Sequence, residues 1–111
     1  MSNTAFLNML GLCMRAGKLV RGEDACKQAI RAGKAYLTVI DASASANAKK
    51  SLGDSCATYH VPLLEAEMLG GAIGRGSHKA AVVTDAGFAK ALMTKYTTND
   101  QPPVREDGQS K

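Results

Sequence analysis

The stretch GLCMRAGKLVRGEDACKQAIRAGK, from Gly11 to Lys34, reads as the close of one helix, a short strand and a second helix, with Gly17, Gly22 and Gly33 at the joints. Helix and strand alternating over so few residues point to helices layered on a sheet, an α/β fold. The same stretch carries Arg15, Lys18, Arg21, Lys27, Arg31 and Lys34 against only Glu23 and Asp24. A basic surface on rigid elements suits a polyanion, because each Lys or Arg that neutralises a phosphate releases bound counterions. A solvated charged face is the plainer alternative.

Upstream, Phe6, Leu7, Leu10, Cys13 and Met14 fall at helical spacing and predict a helix over Thr4–Arg15, stopped by Gly17. Lys18 to Arg21 is a strand candidate. Gly22 opens the second helix, which should end near Gly33, and Glu23 and Asp24 suit its positive N-terminal end. On that helix Asp24, Lys27, Gln28 and Arg31 share one face, while Ala25, Cys26, Ala29 and Ile30 share the other. The polar face, beside the unpaired N–H groups of a helix start, can hold a phosphate or the edge of an exposed base. An ordinary amphipathic helix with a solvated outer face fits the composition as well.

Downstream, Ala35 to Asp41 (AYLTVID) is apolar and β-favouring throughout, as in a strand covered on both faces. Ser43 or Ser45 can cap a third helix that runs through Lys49 and Leu52 to the region of Cys56. Val61 to Leu64 is a short strand whose Pro62 fits an edge or a strand end. A short helix is expected around Glu67–Ala72. Lys79 to Thr84 (KAAVVT) is another buried strand, and Asp85 caps a last helix with Phe88, Leu92 and Tyr96 inward. From Thr97 the chain is polar with paired prolines, which predicts a disordered tail over residues 97–111 behind one domain of residues 1–96.

The 111 residues fit a single domain with one real core, and contents of 45% hydrophobic and 22% charged residues are ordinary for a soluble globular protein. No apolar run approaches the roughly 20 residues that span a bilayer, and the N-terminus lacks a signal-peptide pattern. Three cysteines without a C-x-x-C pair argue against a disulfide framework and for a reducing, cytoplasmic setting. The net charge of +4 is unevenly spread: +4 over residues 1–34, −2 over 35–74, +3 over 75–96 and −1 over 97–111. Two basic segments flank an acidic middle, so a basic face requires both ends to fold together.

Other chemistry finds little support. The run GGAIGRG (Gly70, Gly71, Gly74, Gly76) fails G-x-G-x-x-G and lacks the Gly-Lys of a P-loop, and a strand follows it where the nucleotide motifs place one before. Its glycines fit a tight passage or a close backbone approach to a ligand. Cys56-x-x-x-His60 is at most half a metal site, with Cys26 and His78 far away in sequence. Cys13 and Cys26 on apolar helix faces read as packed thiols. Neither histidine has an evident partner, and Glu65 with Glu67 reads as a helix-start pair rather than an acid/base pair. The chain is therefore expected to have no catalytic site, metal or cofactor.

Five segments in order, LGLCMRAGKLVRGEDACKQAIRAGKA, VIDASASANAKK, VPLL, LGGAIGRG and VVTDAGFAKAL, resemble the ribosomal L-seven-Ae/L-thirty-e family, above all its small bacterial ribosomal-protein-like members. The resemblance runs from Phe6 to Leu92. It implies a three-layer α/β/α sandwich around a small mixed four-stranded sheet. It also implies binding, without catalysis, to kink-turn RNA, a helix–internal loop–helix bent at sheared G·A pairs, whose kinked form is favoured by whatever binds it more tightly. Purine edges and splayed bases of this kind are what proteins read on RNA.

Family members dock the start of the second helix and nearby loops on the bend. The helix start of the family reads G-x-N-E-x-x-K; here Gly22 matches, Glu23 fills the open position, Asp24 stands for Asn, Ala25 for Glu and Gln28 for Lys, with Lys27 adjacent. Arg31 extends the same face. Asp41 matches an acidic position after the second strand, and Glu65, Ala66 and Met68 fall in a second contact loop that is shorter here than is usual. The partners implied are structured RNA, ribosomal or another kink-turn, and the ribosome itself, with no membrane and a monomeric chain. The alternative from another class is a protein-interaction module on the same fold that has lost kink-turn binding, a reading favoured by Ala25, Gln28 and the short loop.

Overall fold

The computed structural model describes residues 4–67 and 79–96. In chain order they form α1 (Thr4–Arg15), β1 (Leu19–Arg21), α2 (Glu23–Arg31), β2 (Leu37–Asp41), α3 (Ala46–Tyr59), β3 (Leu63–Ala66), β4 (Ala80–Val83) and α4 (Ala86–Lys95). The strands lie in the order β1-β4-β2-β3, with β4 antiparallel to both of its neighbours and β2 parallel to β3. The helix expected around Glu67–Ala72 falls, apart from Glu67, outside the described residues, as do the GGAIGRG run and the tail from Thr97.

Every residue of β2 and β4 is buried. Side chains alternate across a strand, so Leu37, Val39, Ala81 and Val83 meet Phe6, Leu10 and Cys13 of α1 and Ala89 and Leu92 of α4. Ile40, Ala80 and Val82 meet Cys26 and Ile30 of α2 and Leu52 and Cys56 of α3 on the other face. Two helices thus cover each face, which gives the three-layer α/β/α sandwich that the sequence resemblance implied. Because α2 leaves the end of β1 and α3 leaves the end of β2, both helices begin at the same end of the sheet and run back along it in the same sense.

The helix ends follow local chemistry. Gly17 (φ 75°) and Gly33 (φ 76°) take the left-handed conformation. The next residue in each case reaches back: Lys18 N–H donates to Cys13 O at 3.0 Å and Lys34 N–H to Ala29 O at 3.0 Å, the Schellman closure. Asp85 caps α4, accepting from Phe88 N–H at 2.9 Å. Of the two serines that could cap α3, Ser45 does so, accepting from Ala48 N–H at 3.1 Å.

Several boundaries differ from expectation. α3 runs past Cys56 to Tyr59 and stops on His60, which takes φ 60° without being glycine. β3 starts at Leu63, not Val61, because Val61 packs into the core beside α3 while the Pro62 carbonyl accepts Thr38 N–H at 2.9 Å. Glu65 therefore sits within a strand and not at a helix start. β2 begins at Leu37, and Ala25, expected to face inward, is exposed on the first turn of α2. Tyr96 closes α4 by stacking edge-on against Phe6, with ring centroids 5.3 Å apart, and donates its hydroxyl to Glu65 O at 2.6 Å.

Candidate functional site

At one end of the sheet the chain leaves β1 through Gly22, leaves β2 through Asp41, leaves β3 through Ala66 and enters β4 from Lys79. Both α2 and α3 start there. Between their first turns lies a cavity of about 410 Å³, lined by Gly22, Glu23, Ala44, Ser45, Lys79 and Ala80 among others.

Gly22 (φ 98°, ψ 145°) is the N-cap of α2 and has no side chain with which to satisfy the first turn. Its own N–H donates to Ala80 O at 3.1 Å, which pins the helix start to β4, and its carbonyl accepts Cys26 N–H at 2.9 Å. The first-turn N–H groups have no partner within the helix, so they and the positive end of the helix face outward. Glu23, Asp24 and Ala25 are exposed around them. Lys27 reaches back to Glu23 at 3.1 Å; such a half-exposed i,i+4 pair stabilises by only about 0.3–0.5 kcal/mol, so a stronger anion can take the ammonium. Gln28 is exposed one turn further on.

Asp41 is 5% exposed and acts as an anchor. Its carboxylate accepts from Ser43 N–H at 2.8 Å and from the Ser43 hydroxyl, and Ser43 Oγ accepts in turn from Lys79 Nζ at 2.7 Å. The backbone N–H of Asp41 donates to Lys79 O at 2.7 Å. A buried carboxylate thus fixes, through one hydroxyl, an exposed ammonium at the rim of the cavity. On the β3 side Glu65 is exposed and held by Lys49 at 3.0 Å.

The structure therefore brings Gly22, Glu23, Asp24, Ala25, Lys27 and Asp41 to one end of the sheet, with Gln28 just beyond and Glu65 at the β3 edge. It sets Arg31 apart, on the last turn of α2, about 12 Å along the helix axis from Glu23 at 1.5 Å per residue. Ala66 is a core residue, 3% exposed, which meets the site only through its carbonyl, bonded to Ala42 N–H at 2.8 Å. Met68 lies outside the described residues.

Lys79 and Ser43 are the members that sequence reasoning missed. Two signals were available: Lys79 directly precedes a buried strand and so sits at a strand end, and Asp41-x-Ser43 is a pattern in which a carboxylate binds the backbone two residues on. The cysteines play no part here. Cys26 and Cys56 are buried between α2 and α3. His60, four residues after Cys56, is exposed, and no group of three or more possible metal ligands occurs among the described residues. No described helix is long and apolar enough to cross a membrane.

A mixed four-stranded sheet with two helices on each face and a charged cavity at the start of the second helix defines a small ribosomal-protein-like sandwich. The chain belongs to the ribosomal protein L7Ae/L30e/S12e/Gadd45 family, whose model matches residues 4–93. It is 38% identical over 97 residues to the RNA-binding protein YlxQ of Bacillus subtilis (strain 168), covering 85% of this chain and 97% of that protein. It is 36% identical to the RNA-binding protein YlxQ of Enterococcus faecium, covering 76% and 84% respectively. Among solved structures it superposes on a protein of unknown function from Bacillus halodurans with a TM-score of 0.77 and 34% identity, covering 81% of this chain and 94% of that one. The 15.5kD RNA binding protein of Giardia lamblia shares the fold at 20% identity, with a TM-score of 0.73 and coverage of 84% and 86%.

Proposed function

We propose that this protein binds structured RNA of the kink-turn kind through the start of α2 and the loops beside it, as an accessory protein of the ribosome or another RNA assembly. The observation that carries the reading is the convergence of the uncapped α2 start, the Asp41–Ser43–Lys79 chain and the cavity between α2 and α3 at one end of the sheet. The RNA-binding relatives support it. Exposed N–H groups and Lys79 donate to phosphate oxygens or to acceptor atoms on purine edges, while Glu23 and Asp24 accept from base amino groups. The positive contacts position the RNA, and the carboxylates reject edges that offer no donor. No bond is made or broken: tighter binding to the bent form draws the RNA population toward it.

The test is titration of a short kink-turn RNA against a plain duplex of equal length at near-physiological salt. Selective binding of the kink-turn, lost on Lys79→Glu, is the expected result. Equal, weak and salt-sensitive binding of both RNAs would overturn the reading and leave a protein-interaction module on this fold.

A further inference from the structure

The end of the sheet opposite Gly22 has a chemistry of its own. There Lys18, Thr84, Tyr36 and Pro62 stand side by side across the four strands: Thr84 N–H donates to Lys18 O at 3.0 Å, Tyr36 N–H to Val83 O at 2.9 Å and Thr38 N–H to Pro62 O at 2.9 Å. α1, α2 and α3 all finish at this end, bringing Arg15, Arg31, Lys34 and Tyr59 to it. Tyr36 is 49% exposed and Tyr59 45%. Arg15, Lys18, Arg31 and Lys34 are all exposed, and none joins an ion pair among the described residues.

The nearest described acids are already engaged. Asp85 accepts from the first turn of α4, and Asp54, higher on α3, is held by Lys50 at 3.2 Å. The Gly22 end differs: Lys27 and Lys49 are each tied to a glutamate there, and Asp24, Asp41 and Glu67 add negative charge. Arg15 and Arg31 lie in the last turns of their helices, where they offset the negative helix ends. Lys18 and Lys34 follow those turns, on the approach to β1 and β2, and Lys34 is two residues from Tyr36.

We propose that this end is a second nucleic-acid surface, which takes a single RNA strand with its phosphates against Lys18 and Lys34 and a base stacked on Tyr36. A half-exposed aromatic ring among cations fits alternating bases and phosphates; an acidic peptide supplies the charge but no planar group for the ring. The surface is independent of the kink-turn reading, since it lies at the other end of the strands. With both ends engaged, the protein would hold a folded element and a flanking strand at once.

The probe is a fluorescent oligouridine of about twelve nucleotides, a length within the range one small domain covers, titrated by anisotropy over a series of salt concentrations. Lys18→Glu/Lys34→Glu is expected to weaken binding by about tenfold or more and to flatten the salt slope by roughly 1.4, at about 0.7 per lost phosphate contact on a single strand. Tyr36→Ala is expected to weaken it by about tenfold, with Tyr36→Phe close to the parent, as stacking requires. Irradiation of the unaltered protein with a 4-thiouridine version of the oligonucleotide is expected to place the crosslink, located by fragment sequencing, on Tyr36 itself, an outcome that does not depend on any variant folding.

Unchanged affinity in the charge-reversed protein, a Tyr36→Phe variant as weak as Tyr36→Ala, or crosslinks confined to residues at the Gly22 end would each overturn the proposal. Polyglutamate competing as well as oligouridine would overturn it in favour of an acidic protein partner. The kink-turn titration reads the other end separately, so either surface can fail alone.

Discussion

Cys26, wholly buried between α2 and α3, has its thiol pushed up by burial, and further by Cys56 and Glu23, from the ordinary 9.0 to about 12. The sign of the consequence is fixed by linkage: between those two values the unfolded chain has lost a proton that the folded chain keeps. The stabilisation is complete below pH 9 and is lost as pH climbs from about 9 toward 12. A series of thermal melts should show a shallower alkaline decline for Cys26→Ala than for the parent, and coincident declines would rule the thiol out as a cause. Cys13, raised by burial and then by Asp85 to about 11, adds to the same limb. Thr38 raises a different question. Its Oγ1 is fully buried beside the Cys56 thiol, without a well-formed hydrogen bond among the described residues. Thr38→Val replaces that hydroxyl with a methyl of similar size and should stabilise the protein by about 1 kcal/mol, read as a higher denaturant midpoint. A lower midpoint would show that the hydroxyl is satisfied.

Two glycines in the helical layers make opposite demands, although both sites have room for a methyl group. Gly53 lies within α3, and a Cβ there would meet only Leu63 Cδ2 at 3.9 Å, an ordinary contact. Gly33 ends α2 at φ +76° with nothing within 4 Å of an added Cβ. Gly53→Ala should therefore stabilise by about 1 kcal/mol through helix propensity, and Gly33→Ala should destabilise by roughly 1–2 kcal/mol through backbone strain alone. Urea unfolding of the two variants checks both signs. These elements also show what sequence can and cannot reveal. Gly17, Gly33 and Asp85 were legible because each acts within a few residues of itself. The start of β3 was not: Val61 looks like strand, but a left-handed His60 turns it into the core, and a histidine is only a weak signal for that conformation. At the candidate site the α2 start was legible in Gly22-Glu23-Asp24, whereas the bond between Ser43 and Lys79 spans 36 residues and exists only once β4 lies beside β2. Arg31 shared a helical face with Asp24 on paper, but face periodicity carries no information about which end of a helix the site occupies.

For the whole molecule, the decisive feature is that β4, the last strand in chain order among the described residues, is central, hydrogen-bonded to both β1 and β2. Without it β1 has no strand partner among the described residues, and the apolar faces of α1 and α2 lose Ala80, Ala81, Val82 and Val83 from beneath them. A fragment ending at residue 78 should show no cooperative melt, whereas one ending at residue 96, which keeps α4 and Tyr96, should melt cooperatively; a sharp transition in the shorter fragment would contradict this. Synthesis runs from the N-terminus, so the same topology fixes an order of events on the ribosome. Helical hairpins can close as they emerge, but here the first helices leave the exit tunnel well ahead of the strand that completes their floor. During that interval the nascent chain presents two apolar stripes and a run of lysines and arginines to whatever surrounds it, and its release into a finished shape waits on four small residues near the end.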